Sequence, residues 1–162
     1  MRALVTGGGG FLGKAIVLKL LERGDHVRSL ARGDYPELAS WGVETMRGDV
    51  ADPQVVLRAL EGRDIVFHVA GNASMWGPYE AYRLTNLIGT YNVIAACRRH
   101  AVRRLVSTGT PSVVHRGGDI EGADESLPYA LHFKGPYPET KAEAERHVLA
   151  ANDAQLATVA IR

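Results

Sequence analysis

Apolar residues along this chain fall into two kinds of pattern, which alternate from the N-terminus onward. Short apolar runs predict strands at residues 2–6, 26–31, 43–47, 64–70, 103–107 and 156–161. Helical spacing predicts helices at residues 11–23, 79–100 and 140–151, and another that begins at Pro53 and stops at Gly62. Strands that alternate with helices in this way are typical of a parallel sheet joined by right-handed crossovers.

Two segments show these patterns most clearly. Leu12, Ile16 and Leu20 are four residues apart, so they share one face of a helix that Gly24 ends. The run Ile65-Val66-Phe67-His68-Val69 is of the continuous apolar kind found in a strand that is covered on both faces. We therefore predict an α/β fold with a doubly wound parallel sheet.

The segment between the first predicted strand and the first predicted helix is rich in glycine. It reads Thr6-Gly7-Gly8-Gly9-Gly10-Phe11-Leu12-Gly13, in which Gly7, Gly10 and Gly13 are three residues apart. Glycine at these points lets the chain turn sharply and approach a pyrophosphate, while free N–H groups at the helix start face the anion. We predict dinucleotide binding, with a purely structural turn as the alternative. The Gly-Lys-Ser/Thr sequence of a P-loop is missing.

The end of the second predicted strand bears on the choice of dinucleotide. An acidic residue there would hydrogen-bond a ribose 2′-hydroxyl and repel a 2′-phosphate, but Ala31 stands at this position and Arg32 follows it. An arginine attracts a phosphate, so NADP(H) is favoured over NAD(H). The alternative for Arg32 is a solvated loop charge paired with Asp34. Arg28 reaches the phosphate only if it faces the cofactor side.

Tyr137 and Lys141 are four residues apart at the start of a predicted helix, so they share one face. A nearby ammonium stabilises a phenolate, which suits the phenol to donate a proton to a carbonyl oxygen while hydride arrives from a nicotinamide. A hydroxyl that binds the substrate oxygen is expected within residues 107–112, at the end of the fifth strand. The alternatives are an amphipathic helix with a surface lysine and hydroxyl groups that cap turns.

The segment from Gly109 to Pro138 shows little periodicity and contains four prolines. A loop of this length inside a compact domain is usually functional or disordered. We expect it to face the substrate.

Composition and charge argue against several other functions. Hydrophobic residues make up 46% and charged residues 23% of the 162 residues. The net charge of +1 does not indicate binding to nucleic acid or to an anionic membrane. The six histidines lack metal-ligand spacing, so no metal site is expected. The single Cys97 excludes an internal disulfide and fits a reducing compartment. No run is long enough for a membrane span or a secretory signal, so a cytoplasmic location is expected.

Taken together, the motifs resemble the extended short-chain dehydrogenase/reductase family over the whole chain. Besides the glycine turn and the Tyr-x-x-x-Lys pair, the matching segments are Gly48-Asp49-Val50, His68-Val69-Ala70-Gly71 and Asn86-Leu87-Ile88-Gly89-Thr90-Tyr91-Asn92-Val93. The segment from Leu105 to Val114 looks most like the 3β-hydroxysteroid dehydrogenase branch. Trp76-Gly77-Pro78-Tyr79 and Asp124-Glu125-Ser126-Leu127-Pro128 look like a bacterial group within it, the 2-alkyl-3-oxoalkanoate reductases of olefin biosynthesis.

The resemblance implies a role for each matching residue. The implied cofactor contacts are Gly7, Gly10, Phe11, Leu12 and Gly13 at the pyrophosphate, Asp49 and Val50 at the adenine, Ala70 and Gly71 beside the adenosine ribose, and Lys141 at the nicotinamide ribose. Tyr137 would be the acid–base residue. The family's catalytic serine corresponds to Thr110, which keeps the hydroxyl but adds a methyl group and restricts rotation about χ1.

The function implied is an NADP(H)-dependent oxidoreductase that interconverts a secondary alcohol and a ketone on an apolar small-molecule substrate. Two alternatives stay open, namely an NAD-dependent nucleotide-sugar epimerase or dehydratase and a non-catalytic nucleotide-binding module. Family members are longer, and their C-terminal part builds most of the substrate pocket. Residues 1–162 are therefore expected to be one Rossmann domain, the cofactor half of an enzyme, which by analogy forms a homodimer.

Overall fold

The strands form one parallel sheet. The computed structural model describes residues 1–162. Its strands are β1 (Arg2–Thr6), β2 (His26–Ala31), β3 (Glu44–Arg47), β4 (Ile65–His68), β5 (Arg104–Thr108) and β6 (Ala157–Ile161), in the order β3-β2-β1-β4-β5-β6. All neighbouring strands run parallel. The predicted doubly wound α/β fold is confirmed.

Helices connect the successive strands. They are α1 (Phe11–Glu22), α2 (Pro36–Ser40), α3 (Pro53–Leu60), α4 (Tyr79–Tyr82), α5 (Gly89–Arg99) and α6 (Pro136–Ala150). A π-helical segment, Arg83–Ile88, joins α4 to α5, and a 3₁₀ turn, Pro111–Val113, follows β5. None of these helices combines the length and the apolar content that crossing a membrane requires.

The hydrophobic core has one layer on each face of the sheet. In β1, Leu4 points to the face where it packs with residues of α3 and α5 such as Val56 and Val93. Its neighbours Ala3 and Val5 point to the other face and pack with residues of α1 and α2. This alternation follows the two-residue period of a strand, and burial on both faces explains why the central strands are so apolar.

The carboxyl ends of the central strands meet at one edge of the sheet. Thr6 at the end of β1 pairs with Leu30 of β2 and with His68 of β4, and His68 pairs with Ser107 of β5. Along the chain, β2 and β3 are added on one side of β1, and β4, β5 and β6 are then added on its other side. The reversal between β1 and β4 opens a crevice beyond the strand ends, which is where open α/β sheets bind ligands.

Several boundaries differ from the predicted ones. Helix α6 begins at Pro136 rather than at residue 140, because proline suits the first turn of a helix. Strand β4 ends at His68, since the next two backbone N–H groups bind the side chain of Thr6 instead of the sheet. The predicted helix at residues 79–100 contains a π-helical segment, and α2 was missed because five residues are too few to show a period.

Candidate functional site

A cavity of about 390 Å³ lies at the carboxyl ends of the strands, within the size range of small-molecule sites. It brings together the residues that the sequence assigns to cofactor binding. These are Gly7, Gly10, Phe11, Leu12, Gly13, Arg32, Asp49, Val50, Ala70, Gly71, Tyr137 and Lys141. The walls thus come from four strand ends, the turn after β1 and the start of α6, and the role of each residue stays a prediction.

Two glycines of the turn after β1 are required by its geometry. Gly7 has a φ of 70°, which residues with side chains rarely adopt, and a Cβ there would lie 2.9 Å from the backbone nitrogen of Ala70. A Cβ on Gly13 would overlap the carbonyl oxygen of Gly7. The first turn of α1 therefore lies directly against the turn that precedes it.

The N-terminus of α1 borders the cavity, and no side chain caps it. Gly10 occupies the N-cap position, and it lines the cavity together with Phe11 and Leu12. The first turn of any helix leaves backbone N–H groups without partners inside the helix. In α3 the carboxylate of Asp52 accepts two of these groups, whereas in α1 no side chain does so. The open end of α1 fits an anion such as a pyrophosphate.

Two charged residues mark the end of the cavity formed by β2 and β3. Asp49 follows β3, and its Oδ1 accepts the backbone N–H of Ala51 at 2.9 Å, which fixes the carboxylate. Arg32 follows β2, and its side chain is exposed. The ion pairs of the structure do not include Arg32 or Asp34, so the pairing of these two residues is not formed.

Arg28 does not face the cofactor side. Its Nη1 donates to three carbonyl oxygens at the C-terminus of α3, of which that of Ala59 is nearest at 2.8 Å. Its Nη2 pairs with Glu44 of β3 at 2.8 Å. A cation at this place complements the negative end of the helix dipole. The condition under which Arg28 would reach a 2′-phosphate is therefore not met.

Lys141 is held at the end of the cavity formed by β5 and α6. Its ammonium donates to the main-chain carbonyl oxygen of Thr108 at 2.6 Å. Burial lowers the pKa of Lys141, and the negative charge of Glu145, one helical turn further along, acts in the opposite direction. Tyr137 lies one turn before Lys141 and lines the same cavity. The phenol of Tyr137 and the ammonium of Lys141 can therefore contact the same ligand.

Thr110 lies outside this cavity. Its Oγ1 accepts the backbone N–H of Ser112 at 3.3 Å and donates to the Oγ of Ser112 at 3.2 Å. These bonds cap the 3₁₀ turn that follows β5. Thr108, at the end of the strand, lines the cavity instead. In this arrangement the hydroxyl of Thr110 is not brought together with Tyr137 and Lys141.

A buried group of polar residues behind the cavity was not predicted. The ring of His68 lies between two threonines, with Nδ1 2.8 Å from Thr6 Oγ1 and Nε2 3.0 Å from Thr90 Oγ1. Further hydrogen bonds lead from Thr90 through Asn86 to Thr140 of α6. One signal in the sequence points to this group, because His68 is the polar residue in an apolar run.

The buried ring of His68 makes the stability of the fold sensitive to acid. Burial lowers the pKa of His68 from 6.5 to about 3, and the charge of Lys141 acts in the same direction. Between these two pKa values the unfolded chain binds one proton more than the folded chain, so stability is lost as the pH falls through 6.5. We expect the free energy of unfolding to fall by about 2 kcal/mol between pH 6.5 and pH 5, measured by denaturant titration.

The matched control for this prediction is His68→Leu. The variant is expected to be less stable at every pH, but the contribution of this one ring to the pH slope is removed. The other histidines and the carboxylates are common to both proteins, so the difference between the two slopes isolates His68. Equal slopes would contradict the prediction.

Comparisons with known proteins agree with the motifs. The model of a family described as the 3-beta hydroxysteroid dehydrogenase/isomerase family matches residues 4–162. The chain is 57% identical over 165 residues to a 2-alkyl-3-oxoalkanoate reductase of Stenotrophomonas maltophilia, covering 100% of this chain and 50% of that protein. It is 42% identical over 169 residues to a 3 beta-hydroxysteroid dehydrogenase/Delta 5→4-isomerase of Mycobacterium tuberculosis, covering 99% and 46%.

A solved structure matches the fold over the whole of this chain. The UDP-glucose 4-epimerase of Thermus thermophilus, in complex with NAD, aligns with a TM-score of 0.88 and 33% identity, covering 100% of this chain and 54% of that chain. The chain thus spans about half the length of the relatives that it matches. The resemblance indicated by the motifs is confirmed.

Proposed function

The chain belongs to the 3-beta hydroxysteroid dehydrogenase/isomerase family, and on this premise we propose that it forms the dinucleotide-binding half of an oxidoreductase that interconverts a secondary alcohol and a ketone. The observation that carries the proposal is the single cavity that joins the glycine turn to the phenol of Tyr137 and the ammonium of Lys141. The relatives are named for 2-alkyl-3-oxoalkanoates and for 3β-hydroxysteroids. Both names describe an oxygen function on an apolar carbon skeleton, and we assign the same class of substrate to the whole protein.

Each residue of the site has a task in this reaction. The bound dinucleotide supplies or accepts the hydride. The open N-terminus of α1 holds its diphosphate. The phenol of Tyr137 donates a proton to the ketone oxygen during reduction and takes it back during oxidation. The ammonium of Lys141, fixed by the carbonyl oxygen of Thr108, stabilises the phenolate that this proton transfer leaves.

NADP(H) is the dinucleotide that the charges of the site favour. At the end of β2 the cavity is lined by Ala31, Arg32 and Gly33, and Asp49, which follows β3, is its only acidic lining residue. A ribose 2′-phosphate would therefore meet the guanidinium of Arg32 and no carboxylate at the end of β2.

Arg32→Ala tests this preference. We expect the Kd for NADPH to rise about 10- to 100-fold, because one charge-assisted hydrogen-bonding partner of the 2′-phosphate is lost. The Kd for NADH should change by less than about twofold, since NADH has a hydroxyl at this position. Isothermal titration of the purified chain measures both constants.

Arg99→Ala is the matched control, because it removes an exposed arginine from the far end of α5. Its affinity for either nucleotide should stay at the wild-type value. Equal losses for NADPH and NADH in Arg32→Ala would contradict a role for Arg32 in reading the 2′-phosphate.

A second candidate function is an NAD-dependent epimerase or dehydratase that acts on a nucleotide sugar. The alignment with an epimerase in complex with NAD favours it. The two functions differ in the nucleotide that they retain, because this alternative requires NAD to stay tightly bound throughout the reaction. Denaturing the freshly purified protein and identifying the released nucleotide separates them, and stoichiometric NAD would contradict the NADP(H) reductase.

The proposed function as a whole is tested in two stages. The folded chain is titrated with NADPH, NADP⁺, NADH and NAD⁺, and the absence of binding at millimolar nucleotide would contradict the dinucleotide site. The polypeptide encoded by the whole gene is then assayed with 2-alkyl-3-oxo acids and ketosteroids. Tight binding of nucleotide by that polypeptide without turnover of any ketone would support the non-catalytic module instead.

A further inference from the structure

We propose that His68 is a positioning residue. Through one fixed arrangement of hydrogen bonds it joins the glycine turn, at one end of the dinucleotide site, to the start of α6, at the other end. The inference rests on the proposed dinucleotide site but is not implied by it, because His68 does not line the cavity. The ring is 4% exposed and lies behind the cavity wall, between the strand that leads into the glycine turn and the long helix that packs against α6.

Thr6 determines which nitrogen of His68 carries the hydrogen. Its Oγ1 accepts the backbone N–H groups of Val69 and Ala70, both at 3.1 Å. A hydroxyl oxygen accepts two hydrogen bonds, so both positions are filled and the hydroxyl hydrogen is left for Nδ1 of His68 at 2.8 Å. Nδ1 therefore accepts, and the neutral ring carries its hydrogen on Nε2.

Thr90 leads to the same assignment independently. Its hydroxyl donates to the main-chain carbonyl oxygen of Asn86, one helical turn earlier, at 2.6 Å. Because a hydroxyl has a single hydrogen, Thr90 Oγ1 accepts the hydrogen on Nε2 of His68, 3.0 Å away. The two threonines thus require the same tautomer. A charged ring would place a second hydrogen on Nδ1, directly against the hydroxyl hydrogen of Thr6.

The hydrogen bonds continue from Asn86 to α6. The amide nitrogen of Asn86 donates to the carbonyl oxygen of Asn72 and to Thr140 Oγ1, each at 3.1 Å, and the amide oxygen accepts the backbone N–H of Asn72 at 2.7 Å. Thr140 donates to the carbonyl oxygen of Pro136 at 2.7 Å, within the first turn of α6. Residues 69–72 and the start of α6 are thereby fixed relative to β1.

Both ends of the site depend on the one ring. On one side Thr6 precedes the glycine turn and holds Ala70, which lines the cavity. On the other side Thr140 lies in α6 between Tyr137 and Lys141. Without His68, the hydroxyl hydrogen of Thr6 loses its acceptor and the oxygen of Thr90 loses its donor, so the link between the two ends is broken.

The first test observes the ring directly. A chain labelled with ¹⁵N is examined by imidazole ¹⁵N–¹H correlation spectroscopy between pH 5 and pH 8, the range in which an ordinary histidine titrates. We expect His68 to be the Nε2–H tautomer and to stay unchanged over this range. An Nδ1–H tautomer, or a ring that titrates in this range, would overturn the proposed arrangement.

The second test measures dinucleotide affinity in four variants. His68→Leu and Thr90→Val each break the link, and we expect the Kd for NADPH to rise about tenfold or more. His68→Gln supplies an amide with one acceptor and one donor, and should restore the Kd to within about threefold of wild type. Val27→Ala is the control for general destabilisation, because Val27 is buried in the layer formed with α1 and α2.

The outcomes separate this inference from the proposed function. Absence of dinucleotide binding by the wild-type chain would remove the proposed function and, with it, the positioning role. Wild-type affinity in His68→Leu, with the fold verified by circular dichroism, would overturn the positioning role alone. If His68→Leu does not fold, Thr90→Val decides, since it keeps the ring and removes only its partner. A loss of affinity in Val27→Ala as large as in that variant would also overturn the role.

Discussion

Tyr137→Phe is expected to lower the turnover of the complete enzyme by about 10²- to 10⁴-fold, the usual contribution of a positioned acid–base group. The substitution removes only the hydroxyl, so the ring still lines the cavity and the dinucleotide should bind within about twofold of its normal affinity. The loss should therefore fall on kcat. Turnover is measured with the polypeptide encoded by the whole gene, and nucleotide binding with that protein and with this chain.

Tyr79→Phe is the matched control for this substitution. Tyr79 is exposed, and its hydroxyl donates to the carboxylate of Glu139 at 3.4 Å outside the cavity. Removing this phenol should leave turnover unchanged. Normal turnover in Tyr137→Phe would show that another group donates the proton, whereas a parallel loss of nucleotide binding would show that the ring was misplaced.

Gly13→Ala is expected to lower dinucleotide affinity by at least about 100-fold and the free energy of unfolding by about 1–3 kcal/mol. The added Cβ would overlap the carbonyl oxygen of Gly7. Relief of this overlap requires the glycine turn and the first turn of α1 to separate, which displaces the backbone N–H groups that face the diphosphate. Isothermal titration measures the affinity, and denaturant titration measures the stability.

Gly24→Ala separates strain from steric overlap. Gly24 has a φ of 81°, but a Cβ there would meet no atom within 4 Å. Alanine at this position should destabilise the fold by about 1 kcal/mol and leave nucleotide affinity unchanged. A folded Gly13→Ala protein that binds dinucleotide normally would contradict the assignment of the glycine turn to the diphosphate.

The strands, the long helices and the residues around the cavity could be predicted because their determinants are local in sequence. Short apolar runs that alternate with helical patterns determine the fold class. In a parallel sheet the carboxyl ends of the strands lie at one edge, so residues that follow different strands come together there. Thus Gly7, Asp49 and Ala70 reach one cavity although each follows a different strand. The motif around Tyr137 could be placed for the same reason, since four residues make one helical turn.

The features that could not be predicted depend on contacts between distant segments. Thr6 and His68 are separated by 62 positions, and which of the hydroxyls near them would face the ring is decided by packing. The direction of the Thr110 hydroxyl depends on a short 3₁₀ turn that has no periodic signal. Arg28 is similar, because the pairing of β2 with β3 places Glu44 beside it and the packing of α3 places the carbonyl oxygen of Ala59 beside it.

The anchoring of Lys141 by a main-chain carbonyl oxygen has a consequence for the design of new activities. A peptide carbonyl is present whatever residue occupies position 108, so side chains at the end of β5 can be exchanged without removing the acceptor that holds the ammonium. A library that randomises residue 108, which lines the cavity, would change the cavity wall while the proton-transfer pair is retained. At this strand end the side chains that shape the cavity can therefore change while the main-chain contact that holds Lys141 is kept.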